Sequence, residues 1–145
     1  MPGNSDIKGI DRIIDANFNR AYEGLRVCEE IVRFILNSRV LTSALKNARH
    51  QVSLIARSRQ VFSNIIRQRK SLQDPGKEIY GSELGRKDYR DIFFANMQRV
   101  KESIRVLEEF SKLKDINSAI RFKRIRYRIY EIEKKIARRL HHDTA

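Results

Sequence analysis

Residues 16–30, ANFNRAYEGLRVCEE, and residues 95–109, ANMQRVKESIRVLEE, carry one polar signature twice. Ala16, Asn17, Arg20, Glu23, Arg26, Val27, Glu29 and Glu30 recur as Ala95, Asn96, Arg99, Glu102, Arg105, Val106, Glu108 and Glu109. Eight of fifteen positions agree without a gap, where unrelated stretches of average composition share about one. A fainter match sets Lys46, Arg49, His50, Val52 and Ile55 over Lys123, Arg126, Tyr127, Ile129 and Ile132. Together they describe a duplicated helical hairpin, its copies related by a pseudo-two-fold axis.

Outward from the signature, apolar residues recur at spacings of three and four, the mark of amphipathic helices. Ile14, Phe18, Ala21, Leu25, Cys28, Val32 and Ile35 predict a helix over 10–36, broken at Asn37-Ser38-Arg39. A second, capped by Thr42 or Ser43, carries Leu45, Ala48, Val52, Ile55, Phe62 and Ile66 and is expected to end near Lys70. A third starts after Asp88 or Asp91 and runs to Leu113 through Ile92, Ala95, Val100, Ile104, Leu107 and Phe110. After a turn at Lys114-Asp115, the fourth spans 118–140 with Phe122, Ile125, Ile129, Ile132, Ile136 and Leu140 on one side. Short connections within each pair favour antiparallel hairpins, so the expected fold is all-α, a four-helix antiparallel bundle. The expected division is repeat one over 10–70, an ordered crossover loop with Pro75, Gly76, Gly81 and Gly85 over 71–87, and repeat two over 88–140, all in one domain.

Length and composition agree. The chain has 145 residues, 34% of them charged and 41% hydrophobic, which suits helices with one apolar stripe each. No run of about 18 apolar residues is present, and the N-terminus lacks the basic-then-apolar order of a secretory signal. The single cysteine, Cys28, excludes an internal disulfide, and a cytoplasmic setting is the expectation. A formal charge of +13 implies attraction to an anion, whether nucleic acid, a membrane surface or a phosphorylated small molecule.

With Asn17 at the origin of a helical wheel of about 100° per residue, the apolar stripe centres near about 40° and Arg20 falls near about 300°, at its border. Gly24 lies beside Arg20, and Asn96, Arg99 and Ser103 repeat the arrangement. A buried amide offers donors and an acceptor to a heterocycle, while a guanidinium offers a planar fork to phosphate. The competing reading is structural: a buried Asn that fixes helix register, and Arg20, Glu23, Arg26 and Glu30 paired along the helix. A di-metal carboxylate bundle on Glu29, Glu30, Glu108 and Glu109 lacks the required Glu-x-x-His, and no phosphate-loop or zinc spacing occurs. Asp74-Pro75-Gly76-Lys77 offers backbone N–H groups to a phosphate, or is simply a turn. His50 reads as a core histidine and Cys28 as packing. On the fourth helix Arg121, Lys123, Arg124, Arg126 and Arg128, with Tyr127 and Tyr130, form either a nucleic-acid grip or a solvated face.

The stretch from Asp15 to Glu29 resembles the start of a helical domain found ahead of thiamine-phosphate synthase in some bacteria. Ala95 to Glu109 resembles that domain's second signature. Leu45-Lys46-x-x-Arg49-His50, Ile125-Arg126-Tyr127-x-Ile129-Tyr130 and the loop Asp74-x-Gly76-x-Glu78-Ile79 resemble it too, so the likeness covers residues 10–136. It implies a role in thiamine biosynthesis, as a candidate kinase for hydroxymethylpyrimidine phosphate using ATP and Mg. The implied site residues are Asn17, Arg20, Asn96 and Arg99. Glu23, Arg26, Arg49, Glu102, Arg105, Arg126 and Asp74 are further candidates for binding a phosphorylated small molecule. The synthase barrel is missing here, so the implied partner is a separate thiamine-phosphate synthase. A basic nucleic-acid-binding module, a helical scaffold and a homodimer remain the alternatives.

Overall fold

The computed structural model describes residues 3–58, 69–78 and 81–142. They form four long helices, α1 (Asn4–Phe34), α2 (Arg39–Ala56), α3 (Tyr89–Ser111) and α4 (Ile116–His142), with no strand among the described residues. Among the described residues, two 3-10 turns, Ser71–Gln73 and Pro75–Lys77, and a one-turn helix, Gly81–Leu84, lie between α2 and α3.

Local chemistry sets the helix ends. Asp6 Oδ2 accepts the Gly3 N–H at 3.1 Å, so α1 begins at Asn4 and not near Ile10. Asn37 adopts φ 52°, the left-handed conformation that Asn tolerates, and reverses the chain. Ser38 caps α2 by accepting the Leu41 N–H at 3.2 Å, four residues earlier than Thr42. Because α1 stops at Phe34, Ile35 turns outward at 47% exposure and Leu36 takes the core place expected of it. Asp88 caps α3, accepting from the Arg90 and Asp91 N–H groups at 2.9 and 3.3 Å.

α2 ends at Ala56, not near Lys70. Arg57 is its C-cap, donating its N–H to Ser53 O at 3.1 Å, and Ser58 is not helical. Arg69 and Lys70 are not helical; Phe62 and Ile66 lie outside the described residues. His50, expected in the core, is exposed.

The two signature helices pack on each other. α1 makes its most extensive contact with α3, and each hairpin partner lies against its own first helix. Cys28 Sγ donates to Phe93 O at 3.7 Å, while Gly24 faces Asn96 and Val100, so α1 and α3 run antiparallel. A Cβ on Gly24 would sit 2.7 Å from Val100 Cγ2 and 3.2 Å from Asn96 O. The missing side chain is what lets the helices approach here. Ile14, Ala21, Leu25 and Val32 meet Phe93, Met97, Val100 and Ile104 in one buried core, with Phe18 and Phe122 edge-on at 5.7 Å.

Duplication is visible atom by atom. Asn17 Nδ2 donates to Ile13 O at 2.8 Å, and Asn96 Nδ2 to Ile92 O at 2.8 Å. Arg49 pairs with buried Glu29, and its counterpart Arg126 with buried Glu108.

Candidate functional site

A cavity of about 440 Å³ opens along the N-terminal half of α1. Arg12, Ile13, Asp15, Ala16, Asn17 and Arg20 line it from the helix, and Arg69, Lys70, Ser71 and Asp74 from the crossover side. Its size falls in the range of small-molecule pockets, about 300–1,000 Å³. Four basic side chains face two carboxylates, so the cavity favours an anion.

Helical spacing builds the wall. Asn17 is 5% exposed and gives one amide N–H to Ile13 O, leaving the rest of the amide to the cavity. Arg20, one turn on, is exposed, and Arg12 is partly buried. Neither forms an ion pair among the described residues. Ala16 between them keeps the wall shallow.

Asp15 and Arg69 form a bidentate pair, Nε to Oδ2 at 2.7 Å and Nη2 to Oδ1 at 2.6 Å. Hydrogen bonding to Asp15, reinforced by its charge, raises Arg69 further above the ordinary guanidinium range. Asp74 Oδ1 accepts the Gly76 N–H at 2.8 Å, and its main-chain oxygen accepts from Lys77 at 3.2 Å. Those turn N–H groups are therefore satisfied within the turn, and Asp74 is the turn residue that lines the cavity.

Asn17, Arg20 and Asp74 thus come together on one cavity. Asn96 is partly buried, Arg99 is exposed, and neither lines that cavity. Arg26 spans Glu29 and Glu30 at 3.7 and 3.2 Å; Arg105 spans Glu108 and Glu109 at 2.9 and 3.2 Å. Arg49 binds Glu29 at 2.8 Å and the Tyr22 hydroxyl at 3.0 Å, while Arg126 binds Glu108 and the Tyr130 hydroxyl. Glu23 is exposed, and Glu102 accepts from Gln98 at 2.9 Å.

Arg12, Asp15, Arg69 and Lys70 were not among the residues the sequence marked as a site. Asp15 could have been found, because an acid on the apolar stripe needs a partner. Arg69 could not, since 54 residues separate it from Asp15.

Other features find intramolecular uses. Arg126 stacks over Tyr127 and Tyr130 at 5.0 and 5.8 Å, so those rings are engaged within α4. Cys28 is buried, and desolvation, then the charge of Glu133, pushes its thiol up to about 12. Among the described residues no three His, Cys, Asp or Glu side chains group to hold a metal ion, and no helix is long and apolar enough to cross a membrane.

Comparison with known proteins places this geometry in context. The chain is 38% identical over 139 residues to a thiamine-phosphate synthase of Rhodopirellula baltica, covering 92% of this chain and 37% of that protein. It is 40% identical over 131 residues to the thiamine-phosphate synthase of Synechocystis sp., covering 86% and 35%. The match to the Nostoc punctiforme thiamine-phosphate synthase is 37% over 126 residues, covering 86% and 34%. The chain spans about a third of the length of these relatives. No solved structure matches. The ThiD2 family matches residues 12–135, which include both signatures and the cavity lining from Arg12 to Asp74, and the chain belongs to that family.

Proposed function

We propose that this chain binds a pyrimidine phosphate in the α1 cavity and acts in thiamine biosynthesis, phosphorylating hydroxymethylpyrimidine phosphate beside a thiamine-phosphate synthase. One observation carries the reading: a buried amide, Asn17, sits between Arg12 and Arg20 on one cavity wall. Eight residues of helix separate those arginines by about 12 Å. Asn17 suits the ring edge of a pyrimidine, whose nitrogens accept and whose amino group donates. The flanking guanidiniums suit its phosphate. Membership of the ThiD2 family and likeness to proteins named thiamine-phosphate synthase support the pathway. In those relatives the matched segment is about a third of a longer chain, which supports a synthase as working neighbour.

Phosphoryl transfer would draw its phosphate from a nucleoside triphosphate with a divalent cation to neutralise developing charge. Asp15 has both oxygens on Arg69. Asp74, the Ser71 hydroxyl and the Asn17 and Asn19 amide oxygens are then the wall's side-chain oxygen ligands, which suits an ion held mainly by substrate phosphates. The chain's own part is positioning: Asn17 orients the ring, and the basic side chains gather the phosphates.

The test incubates the full chain with hydroxymethylpyrimidine phosphate, ATP and magnesium. Formation of hydroxymethylpyrimidine diphosphate and ADP is expected, with a rise in melting temperature of about 5–10 °C at a hundredfold excess over Kd. No turnover together with no thermal shift from any pyrimidine phosphate would overturn the reading.

A further inference from the structure

Asp15 lies on the buried stripe of α1 at 5% exposure, where an unpaired carboxylate would be costly. Its bidentate bond to Arg69 offsets that cost and does something more. A guanidinium carries five N–H groups in a rigid plane, and Asp15 engages two of them along one edge. The remaining donors belong to a side chain that lines the cavity and is 44% exposed.

The second repeat lacks this device. Seventy-nine residues after Asp15 stands Phe94, 40% exposed, which cannot hold an arginine in this way. The counterpart of Arg12 is Asp91, and that of Gly9 is Asp88. Asp88 and Asp91 cap the start of α3, accepting the Arg90 and Lys87 N–H groups at 2.9 and 3.0 Å. Each matched stretch, 9–20 and 88–99, carries two carboxylates and two arginines, but only the first is joined by Arg69 and Lys70 from the crossover, beside Asn17 and Arg20 on the cavity wall. Those two added cations make the first place the one that attracts a phosphate.

We propose that Asp15 is a positioning residue that fixes Arg69 as the phosphate-binding fork of the α1 cavity, and that only the first repeat forms this anion site. This rests on the reading that the cavity takes a pyrimidine phosphate. One ligand binds per chain, although the signature occurs twice.

Titration calorimetry on the full chain tests it, with hydroxymethylpyrimidine phosphate and its unphosphorylated alcohol as probes. The expected stoichiometry is one. Arg69→Lys and Asp15→Asn each weaken the phosphate by ~10-fold or more while leaving the alcohol within about twofold. That ratio is one a merely structural loss would not move. The double variant is no weaker than Arg69→Lys alone, and Arg99→Lys changes neither affinity. Two ligands per chain, equal weakening by Arg99→Lys, or an unchanged phosphate preference in Arg69→Lys would overturn the proposal. If Asp15→Asn unfolds, Arg69→Lys decides. If no pyrimidine phosphate binds, inorganic pyrophosphate becomes the probe. Arg69-dependent binding of it keeps the anion site and removes the pyrimidine reading; binding of neither overturns both.

Discussion

Arg49 Nε lies 2.8 Å from Glu29 Oε2, with both side chains buried between α1 and α2. The counterpart bond, Arg126 to Glu108 at 3.1 Å, ties α3 to α4. Each repeat therefore locks its own hairpin with the same charge pair, a signature glutamate and an arginine of the fainter match, both away from the cavity. Removing one partner strands the other charge in a desolvated place.

Glu29→Gln is therefore expected to lower stability by about 3 kcal/mol, and Glu108→Gln by a similar amount. Replacing both members, Glu29→Leu with Arg49→Leu, should recover much of the loss, since no lone charge stays buried. Urea denaturation midpoints check this. A single variant that costs nothing would contradict it.

Gly24→Ala gains about 1 kcal/mol of helix propensity but places a methyl against Val100 Cγ2 and the main-chain oxygen of Asn96. Overpacking costs about 1–3 kcal/mol. The oxygen belongs to a rigid helix and cannot retreat cheaply, so the net effect is a loss. Adding Val100→Ala removes the closer clash and leaves a smaller deficit than the two single changes predict by addition. Thermal unfolding of the three variants reads out the sign.

The Asp88 carboxyl lies below its ordinary 3.8 because it accepts the Asp91 N–H and then the Arg90 N–H. A depressed folded value means the ionised cap stabilises at pH above the unfolded value. That contribution is lost as pH falls through the folded one. Asp88→Asn keeps the cap geometry without the charge. The stability difference between wild type and Asp88→Asn should be present at neutral pH and shrink as pH drops below 3.8. A difference that stays constant into acid would contradict this.

Asn17→Leu separates the two readings of the buried amide. Among the described residues Asn17 donates only to Ile13 O within its own helix, so leucine at this 5% exposed position should leave stability unchanged or raised. Affinity for hydroxymethylpyrimidine phosphate should fall by ~10-fold or more, since the ring loses its polar partner. Unchanged affinity would make Asn17 a register residue only.

The repeated signature made the fold legible. Spacing put Asn17, Leu25, Cys28 and Leu107 on core stripes, and the structure buries all four. Positions that tertiary context decides were not legible. Ile35 and Leu36 exchange roles because α1 stops at Phe34, and His50 faces solvent on a helix whose stripe is narrower than expected. At the candidate site, identity between the repeats drew attention to Asn96 and Arg99 as much as to Asn17 and Arg20. What distinguishes the copies lies outside the identities, in Arg12 against Asp91 and Asp15 against Phe94, and in the distant Arg69. Repetition located the shared core; divergence around it carries the charge.

The most direct measurement is a crystal structure of the full chain with hydroxymethylpyrimidine phosphate. One ligand per chain is expected in the α1 cavity, its ring against Asn17 and its phosphate among Arg12, Arg20 and Arg69. Ligand bound instead beside Asn96 and Arg99, or an α1 cavity empty at saturating ligand, would contradict it.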